Sequence, residues 1–341
     1  MQAAFEFGKQ IIKPGTRQTV NLPLSLLSDH TPMTIPVHIV HGRETGPRLF
    51  VSAAIHGDEL NGIEIIRRLL KTSRLSKLCG ILIAVPIVNV FGFIANSRYL
   101  PDRRDLNRNF PGNDKGSLTA QLAQLFMKEV VSRCTHGIDL HTGAIHRSNL
   151  PHLRADLSDP AMLQLAQAFA PPLILHSNLR DGSLRLAATE MNIPTMIFEG
   201  GEALRFDEVS IRVGMRGIIR VMQALGMLDK SDSVPRQVSV TSKSSNWVRA
   251  PTGGIFRTSL RTGARIRVGN NLGVIADPFG VSETIVEAKY AGILIGRSNL
   301  PVVNQGDALF HIASVDDASA VTEAVAELRE ELESEPMTIP D

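Results

Sequence analysis

The sequence contains little cysteine, no block of like charge and no long hydrophobic run. Two cysteines in 341 residues, Cys79 and Cys134, are too few for a disulfide framework or a cysteine-rich zinc module, so we interpret them as isolated buried thiols. A formal net charge of +2 without a lysine or arginine cluster does not predict nucleic-acid binding. The longest apolar run, Ile81 to Val88, is too short to span a bilayer. We therefore expect no nucleic-acid or membrane partner, and any metal ligands must be histidines and carboxylates.

The composition is otherwise that of a globular chain. Its 341 residues, 43% of them hydrophobic, suit two domains, or one large domain with an appendage, around a substantial core. The first twenty residues include Glu6, Lys9 and Arg17 and no apolar stretch, so no secretory signal is visible and we predict a cytoplasmic protein. The composition leaves the oligomeric state open, a homo-oligomer included.

Apolar runs alternate with helix-patterned stretches over the first two thirds of the chain. The predicted strands are 35–40, 49–55, 81–85, 137–140, 173–175 and 195–198. The predicted helices are 58–71, one that Ser117 or Thr119 begins, 183–191 and 207–228, with a long loop from Asn89 onward. This alternation predicts an α/β fold with a mixed, mostly parallel sheet flanked by helices.

The last third of the chain has a different pattern. Residues 229–245 are polar and turn-rich, which predicts a linker after a domain of residues 1–228. In residues 246–313 the stretch Val248 to Ile255 is echoed by Val286 to Ile293, which predicts two interlocking halves of an all-β domain. This domain resembles the barrel-sandwich fold of biotinyl and lipoyl carriers without their modified lysine, so we expect a structural or gating module. Residues 314–341 form an acidic tail, predicted to be a short solvated helix or a disordered end.

His56 and Glu59 lie where a predicted strand gives way to a helix, in the run Ala53 to Gly62. Side chains three positions apart at the start of a helix can point the same way. Together they offer nitrogen and oxygen ligands to a zinc-type ion. The H-x-x-E spacing alone arises by chance, and a satisfied histidine beside a solvated glutamate is the alternative. The setting favours a metal site, because open α/β sheets bind ligands at the carboxyl ends of their strands.

A hydrolytic zinc needs a third protein ligand and an open position for water. His141 is the candidate, because it follows a predicted strand directly and lies between small residues. Asp139, two residues earlier, is either a partner of that imidazole or an ordinary strand-end carboxylate. Four other histidines compete for the third position: His136, His146, His152 and His176.

The loop from Ser97 to Gly112 contains four arginines among sixteen residues. A solvated loop is the usual meaning of such charge. The flanking aromatic, proline and glycine residues favour a shaped segment instead. Arginine binds carboxylates with two hydrogen bonds and stabilises a developing oxyanion. We therefore predict that this loop has a role in substrate binding or catalysis.

A general base is also required, to take a proton from water and pass it to the leaving amine. Glu199 ends a predicted strand and is followed by two glycines that allow close backbone approach. The alternative is an ordinary turn carboxylate, and Glu202 and Glu208 are rivals for the role.

Together the motifs HGDE, DLNRNFPG, DLHTG and FEGG, in this order over residues 45 to 228, resemble the succinylglutamate desuccinylase and aspartoacylase family, within the wider group of zinc carboxypeptidase-like folds. The resemblance implies one zinc ion per chain, with His56, Glu59 and His141 as ligands. It implies that Glu199 is the base and then the acid.

The same resemblance assigns roles within the arginine-rich loop. It implies that Arg98 polarises the scissile carbonyl and stabilises the oxyanion, and that Asn107 and Arg108 hold the substrate's carboxylate. It implies that Asp105 orients His56, as such partners of metal-bound histidines usually do. The resemblance does not cover the residues that select an acyl group. Arg147, Asn149 and Arg154, which follow His141, either grip a second acidic group or lie exposed.

We therefore predict a zinc-dependent amidohydrolase that cleaves the acyl amide bond of a small N-acyl amino acid or similar amine. Cobalt or manganese can serve the same ligand types. A zinc carboxypeptidase acting on short peptides uses the same catalytic parts, and a non-catalytic binding protein that retained the fold is a third reading. A β domain that roofs the cleft and excludes long chains would favour deacylation.

Overall fold

The computed structural model describes residues 2–230 and 239–334. The strands of the first 230 residues are β1 (Phe5–Phe7), β2 (Gln10–Ile12), β3 (Arg17–Leu26), β4 (Pro32–His41), β5 (Glu44–Ala53), β6 (Cys79–Val85), β7 (His136–Gly143), β8 (Arg147–Ala155), β9 (Leu173–His176) and β10 (Thr195–Glu202). The later strands are β11 (Val240–Ser242), β12 (Ser244–Arg249), β13 (Gly254–Arg257), β14 (Arg265–Ile266), β15 (Asn271–Ala276), β16 (Glu283–Glu287), β17 (Gly292–Ser298), β18 (Val302–Val303) and β19 (Ala308–Ser314). The α-helices are α1 (Asn61–Lys71), α2 (Val90–Ile94), α3 (Leu118–Glu129), α4 (Pro160–Phe169), α5 (Leu184–Glu190), α6 (Glu208–Ala224) and α7 (Ala318–Ser334).

One large mixed sheet organises the molecule. Its centre is four parallel strands in the order β10, β7, β5, β6. Beyond β6 the sheet continues antiparallel through β4 and β3, and beyond β10 it continues antiparallel through β8. The fold is thus mixed α/β as predicted. The expectation of a mostly parallel sheet is wrong, because among the described residues only the four central strands and the pairs β8–β9 and β9–β11 are parallel, and the added strands pair antiparallel.

Helices cover both faces of the central strands, so these strands are apolar on both sides. In β5, Leu49 and Val51 face the cluster that packs with α1, α4 and α6. Phe50 points to the opposite cluster, which packs with α3 and α5. This alternation is the reason that β5 reads as one continuous apolar run in the sequence.

Polar side chains cap the first turns of α3 and α6 at the predicted starts of these helices. Ser117 accepts a hydrogen bond from the Ala120 amide at the start of α3, and Asp207 accepts one from Ser210 at the start of α6. Each bond satisfies a backbone donor that the first helical turn leaves free.

Among the described residues, no helix combines the length and the apolar character that crossing a membrane requires.

The sequence pattern missed β3, β8 and the helices α2 and α4. In β3 only Val20 and Leu22 are buried, since this strand lies at the end of the sheet order and pairs with β4 alone. The first half of β8 is polar, so its pattern does not predict a strand. Both strands are held by pairing with their neighbours rather than by a strong apolar pattern of their own.

The C-terminal β domain is joined to the large sheet. Strand β17 pairs with β8, so β17, β19 and β12 extend that sheet. A second sheet, in the order β16, β15, β13, β18, packs against them around Phe256, Leu294 and Phe310. The predicted linker contains the short strand β11, which pairs in parallel with β9, while residues 231–238 lie outside the described residues.

The acidic tail forms a longer and better packed helix than we predicted. Helix α7 buries Val321 and Val325 against the β domain, and Leu328 reaches the cluster that contains α6. The expectation of a short solvated helix is therefore wrong for this face. These apolar residues recur at helical spacing, but the glutamates between them dominate the composition. Residues 335–341 lie outside the described residues.

Candidate active site

His56, Glu59 and His141 come together at the carboxyl ends of two neighbouring strands. His56 and Glu59 lie between β5 and α1, and His141 lies near the end of β7, which pairs with β5. One ligand atom from each residue lies within 4.8 Å of the others, and all three side chains are buried. The turn needs glycine at Gly57, because a Cβ there would lie 2.0 Å from the backbone of Gly92.

The Glu59 carboxylate lies between the two imidazoles. His56 Nδ1 is 2.7 Å from Glu59 Oε1, and His141 Nδ1 is 2.8 Å from Glu59 Oε2. The Thr142 amide donates a further hydrogen bond to Glu59 Oε2 at 3.1 Å. Two imidazole nitrogens and a carboxylate facing one small volume are a ligand set that suits a zinc-type ion.

The outer edges of both imidazoles are held by carboxylates. His56 Nε2 lies 3.0 Å from Asp105 Oδ1, and His141 Nε2 lies 2.6 Å from Asp139 Oδ2. Ser52 Oγ in turn donates to Asp139 at 2.7 Å. With Nε2 of each ring held by a carboxylate, Nδ1 is the ring atom that faces Glu59 and that would coordinate an ion once its proton is displaced. The residues present therefore fit a divalent metal.

Charge in this cluster favours ionised carboxylates. Burial would raise the pKa of Glu59, but the charges of His56 and His141 and their hydrogen bonds hold it well below its usual value. The pKa of Asp105 is likewise lowered, because the hydrogen bond from His56 and the charge of Arg98 outweigh its burial. Glu59 can thus offer an anionic oxygen to a cation at neutral pH.

Arg98 lies directly beside this cluster. Its Nη1 is 3.2 Å from Glu59 Oε1, and its Nη2 is 3.1 Å from Asp105 Oδ2. Burial would lower its pKa, but Glu59 and Asp105 raise it above the usual value. A fixed positive charge therefore faces the space next to the three candidate ligands.

Asn107 and Arg108 line the same cavity from a short turn that Asp105 begins. The Asp105 side chain accepts a hydrogen bond from the Asn107 amide at 2.9 Å. Asn107 Oδ1 accepts one from the Leu184 amide at 2.9 Å, which fixes the orientation of its side-chain amide. The turn thus presents the side chains of both residues to the cavity.

Glu199 lies next to His141, because the two residues are paired in register on the parallel strands β10 and β7. Asn149 Nδ2 donates to Glu199 Oε2 at 2.9 Å, and Arg154 Nη1 lies 3.5 Å from Oε1. The two rival carboxylates are engaged elsewhere: Glu202 accepts from Asn299 and Glu208 pairs with Arg68.

These residues surround a cavity of about 330 Å³. The described residues that line it include six arginines but only two carboxylates, Glu59 and Glu199. The six arginines are Arg98, Arg108, Arg147, Arg154, Arg180 and Arg185. The cavity is therefore much more positive than the whole chain, whose net charge is +2.

The C-terminal β domain contributes Trp247 and His311 to the cavity wall. Their rings stack with centroids 4.4 Å apart and an interplanar angle of 7°. The Arg147 guanidinium lies 5.4 Å from the centroid of the Trp247 ring, which joins the β domain to β8. The β domain thus borders the cleft, as the roofing hypothesis requires.

Comparison with known proteins places this geometry in a family. A sequence model of the succinylglutamate desuccinylase/aspartoacylase catalytic domain matches residues 45–225. The chain belongs to this family. Membership supports hydrolysis of amide bonds as its activity.

Relatives of this family member match most of its length. It is 28% identical over 297 residues to the N-α-acetyl-L-2,4-diaminobutyric acid deacetylase of Halomonas elongata, covering 82% of this chain and 86% of that one. A succinylglutamate desuccinylase/aspartoacylase structure from Rhodobacter sphaeroides matches with a TM-score of 0.80 at 23% identity, covering 88% and 96% of the two chains. The product-bound ectoine utilization protein EutE (DoeB) from Ruegeria pomeroyi matches with a TM-score of 0.78 at 24% identity, covering 87% and 94%. These two structures share its fold.

Arg185 is a cavity residue of this family member that the sequence analysis missed. It is only 5% exposed, and its Nε and Nη1 have no hydrogen-bond partner among the described residues. Its Nη2 donates to the Asn178 carbonyl at 2.6 Å, and no carboxylate in the described ranges forms an ion pair with it. Burial, and then the charge of Arg154, lowers the pKa of Arg185 to about 10. The available signal was its place at the start of a predicted helix that follows a strand.

Two buried neutral imidazoles in the cavity wall predict sensitivity to acid. Burial lowers the pKa of His152 to about 4 and that of His311 to about 3. The unfolded chain binds these protons near pH 6.5, so unfolding takes up protons below that pH. The free energy of unfolding is therefore highest above pH 6.5 and decreases as the pH falls towards 4. We expect each imidazole to lower the free energy of unfolding by about 2 kcal/mol when the pH is reduced from 7 to 5.

Urea unfolding of wild-type protein and His311→Phe at pH 7 and pH 5 measures this effect. The variant should lose less stability on acidification, by about 2 kcal/mol. Equal losses in the two proteins would show that His311 is not a buried neutral group.

Proposed function

We propose that this protein is a zinc-dependent amidohydrolase that cleaves the acyl amide bond of a small N-acyl amino acid or related amine. The observation that carries the proposal is the register of β7 and β10, which places Glu199 beside His141 and the candidate metal ligands. A general base next to a hydrolytic metal is the arrangement that amide hydrolysis by water requires. We also assign the first domain to the zinc carboxypeptidase-like group.

His56, Glu59 and His141 would hold one zinc ion. Bound there, zinc would supply Lewis acidity, polarising a carbonyl and making water easier to deprotonate. Glu199 takes the proton from the attacking water and delivers it to the nitrogen of the leaving amine. The new C–O bond forms first and leaves an oxyanion on the former carbonyl oxygen; the C–N bond then breaks as Glu199 protonates the nitrogen, giving a carboxylic acid and an amine. Arg98 donates hydrogen bonds to the developing oxyanion.

The positive cavity supports an anionic substrate. Asn107 and Arg108 dock its carboxylate, and a guanidinium can do so with two parallel hydrogen bonds. Arg185 supports this reading, because a buried guanidinium without a carboxylate partner is costly unless an anion from outside compensates it. The relative from Halomonas elongata is a deacetylase of an N-acetylated amino acid, which supports the same substrate class. The cytoplasmic location stays a prediction.

A panel of N-acyl amino acids, assayed beside short peptides with and without a chelator, tests this proposal. We expect release of free amine from at least one N-acyl amino acid, loss of activity with chelator and recovery with zinc. Faster cleavage of the peptides would instead show a carboxypeptidase. Protein that binds no metal and releases no amine would show a binding protein.

Arg108→Ala should raise KM for a substrate with a free carboxylate by about 10- to 100-fold, the cost of losing a hydrogen bond to a charged group. The change in kcat should be smaller, because the carboxylate does not react. Arg104→Ala is the matched control, since Arg104 is an exposed arginine of the same loop outside the cavity lining. If Arg108→Ala raises KM equally for the same substrate with its carboxylate amidated, Arg108 does not dock that group.

A further inference from the structure

His152 is a buried imidazole that the proposed chemistry leaves without a role. It lies on β8, directly opposite Glu199 in the antiparallel pair of β8 and β10. Residues paired in this way point to the same face of a sheet with their Cβ atoms about 5 Å apart. The side chain is 2% exposed, and what it exposes lines the cavity. His152 is thus a close neighbour of the proposed base.

The hydrogen bonds of His152 define its tautomer. Its Nδ1 lies 2.7 Å from the carbonyl oxygen of Leu150. A carbonyl only accepts, so Nδ1 carries the proton and Nε2 carries a lone pair. No described residue hydrogen-bonds to Nε2. Burial keeps the ring neutral at physiological pH, with its pKa lowered to about 4.

The strongest acceptors of this cavity are already engaged. The six lining arginines are donors only, Glu59 is occupied by two histidines, and Glu199 already accepts from Asn149. Nε2 belongs to a side chain that lines the cavity, and an acceptor from which a ligand displaces water costs free energy unless the ligand supplies a donor. The lone pair of His152 therefore favours a bound substrate that donates to it.

The nitrogen of the scissile amide is the substrate atom that must approach Glu199, because Glu199 protonates it. Protonation needs the nitrogen lone pair to face Glu199, so the N–H bond must point elsewhere. His152, one strand away on the same face, lies where an acceptor can receive that N–H. An acceptor there would orient the nitrogen for protonation.

We propose that His152 Nε2 accepts a hydrogen bond from the N–H of the scissile amide and so selects secondary amides over N-alkylated amides and esters. This inference rests on the proposed function. A tertiary amide has no N–H to donate, and an ester places an oxygen lone pair against the lone pair of Nε2. In both cases the buried acceptor stays unpaired, which is how polar sites reject near-isosteres.

Three matched substrates test the selection: an N-acyl amino acid, its N-methyl analogue and the corresponding O-acyl 2-hydroxy acid. Esters are intrinsically more reactive than amides, so a site indifferent to the N–H would cleave the ester faster. We expect wild-type kcat/KM to be about tenfold or more higher for the N–H amide than for its N-methyl analogue. In His152→Phe, which keeps a planar ring but no acceptor, the preference for the N–H amide should fall by about tenfold.

Two further variants separate selection from structure. His152→Gln restores an acceptor and should recover much of the preference. His136→Gln, a histidine on β7 outside the cavity lining, should leave it unchanged. A purely structural role for His152 predicts equal losses on all three substrates, and that result would overturn the inference.

The wild-type protein alone is also decisive, so the test does not depend on the folding of any variant. Cleavage of the N-methyl amide as fast as the N–H amide would overturn the inference while leaving the amidohydrolase intact. A wild-type protein that turns over no amide would overturn the proposed function, and this inference with it.

Discussion

Glu199→Gln should lower kcat by at least a hundredfold, about the contribution of a well-placed general base, while the protein keeps its full complement of metal. Glutamine has nearly the same shape and can still contact Asn149, so the fold of β10 should not change. It cannot take a proton from water or return one to the leaving amine. Single-turnover kinetics together with elemental analysis of the same preparation measure both quantities.

Glu202→Gln is the matched control for this substitution. Glu202 lies three residues further along β10, outside the cavity lining, where it accepts hydrogen bonds from Asn299 and Ser148. We expect its kcat to stay within a few-fold of the wild type. If Glu199→Gln binds metal normally and turns over at the wild-type rate, Glu199 is not the base.

His141→Ala should abolish both metal binding and turnover. The substitution removes one of three proposed ligands and leaves Asp139 and Glu59 buried without their imidazole partner. Breaking a buried charged contact in this way typically costs about 3–5 kcal/mol, so we also expect a lower melting temperature. Elemental analysis, an amine-release assay and calorimetry measure the three effects.

His136→Ala controls for the loss of a histidine from the same strand. His136 begins β7 outside the cavity lining, and its Nδ1 lies 2.9 Å from the neighbouring Thr135 hydroxyl. Metal content and activity should therefore stay at wild-type levels. Retention of a full equivalent of metal by His141→Ala would remove that residue from the ligand set.

The positions of His56, His141 and Glu199 could be predicted from the sequence because each lies in a strand or shortly after one. His56, His141 and Glu199 belong to the carboxyl ends of three adjacent parallel strands, and such ends share one edge of a sheet. Strong apolar runs mark β5, β7 and β10, so their side chains could be placed at that edge without coordinates.

The other wall of the cavity could not be predicted in the same way. Trp247 and His311 reach it because β17 pairs with β8, and pairing between strands so distant in the chain leaves no local pattern. Nothing in the local sequence distinguishes Arg185 from an exposed arginine, because its burial results from tertiary packing. Helix α7 shows the same limit, since its packed face is hidden among glutamates.

The positive charge of the cavity could not be predicted from the composition either. A chain of net charge +2 gathers six arginines around two carboxylates in one cavity, and only the fold reveals this asymmetry. The excess positive charge is what directs the proposal towards carboxylate-bearing substrates.

Stepwise addition of zinc to chelator-treated protein, with amine release from an N-acyl amino acid measured at each step, tests the shared role of His56, Glu59 and His141 most directly. The rate should rise linearly and reach a plateau at one zinc per chain, with no rise in His141→Ala. Full turnover in the metal-free protein, or a plateau that His141→Ala also reaches, would contradict a metal held by these three side chains.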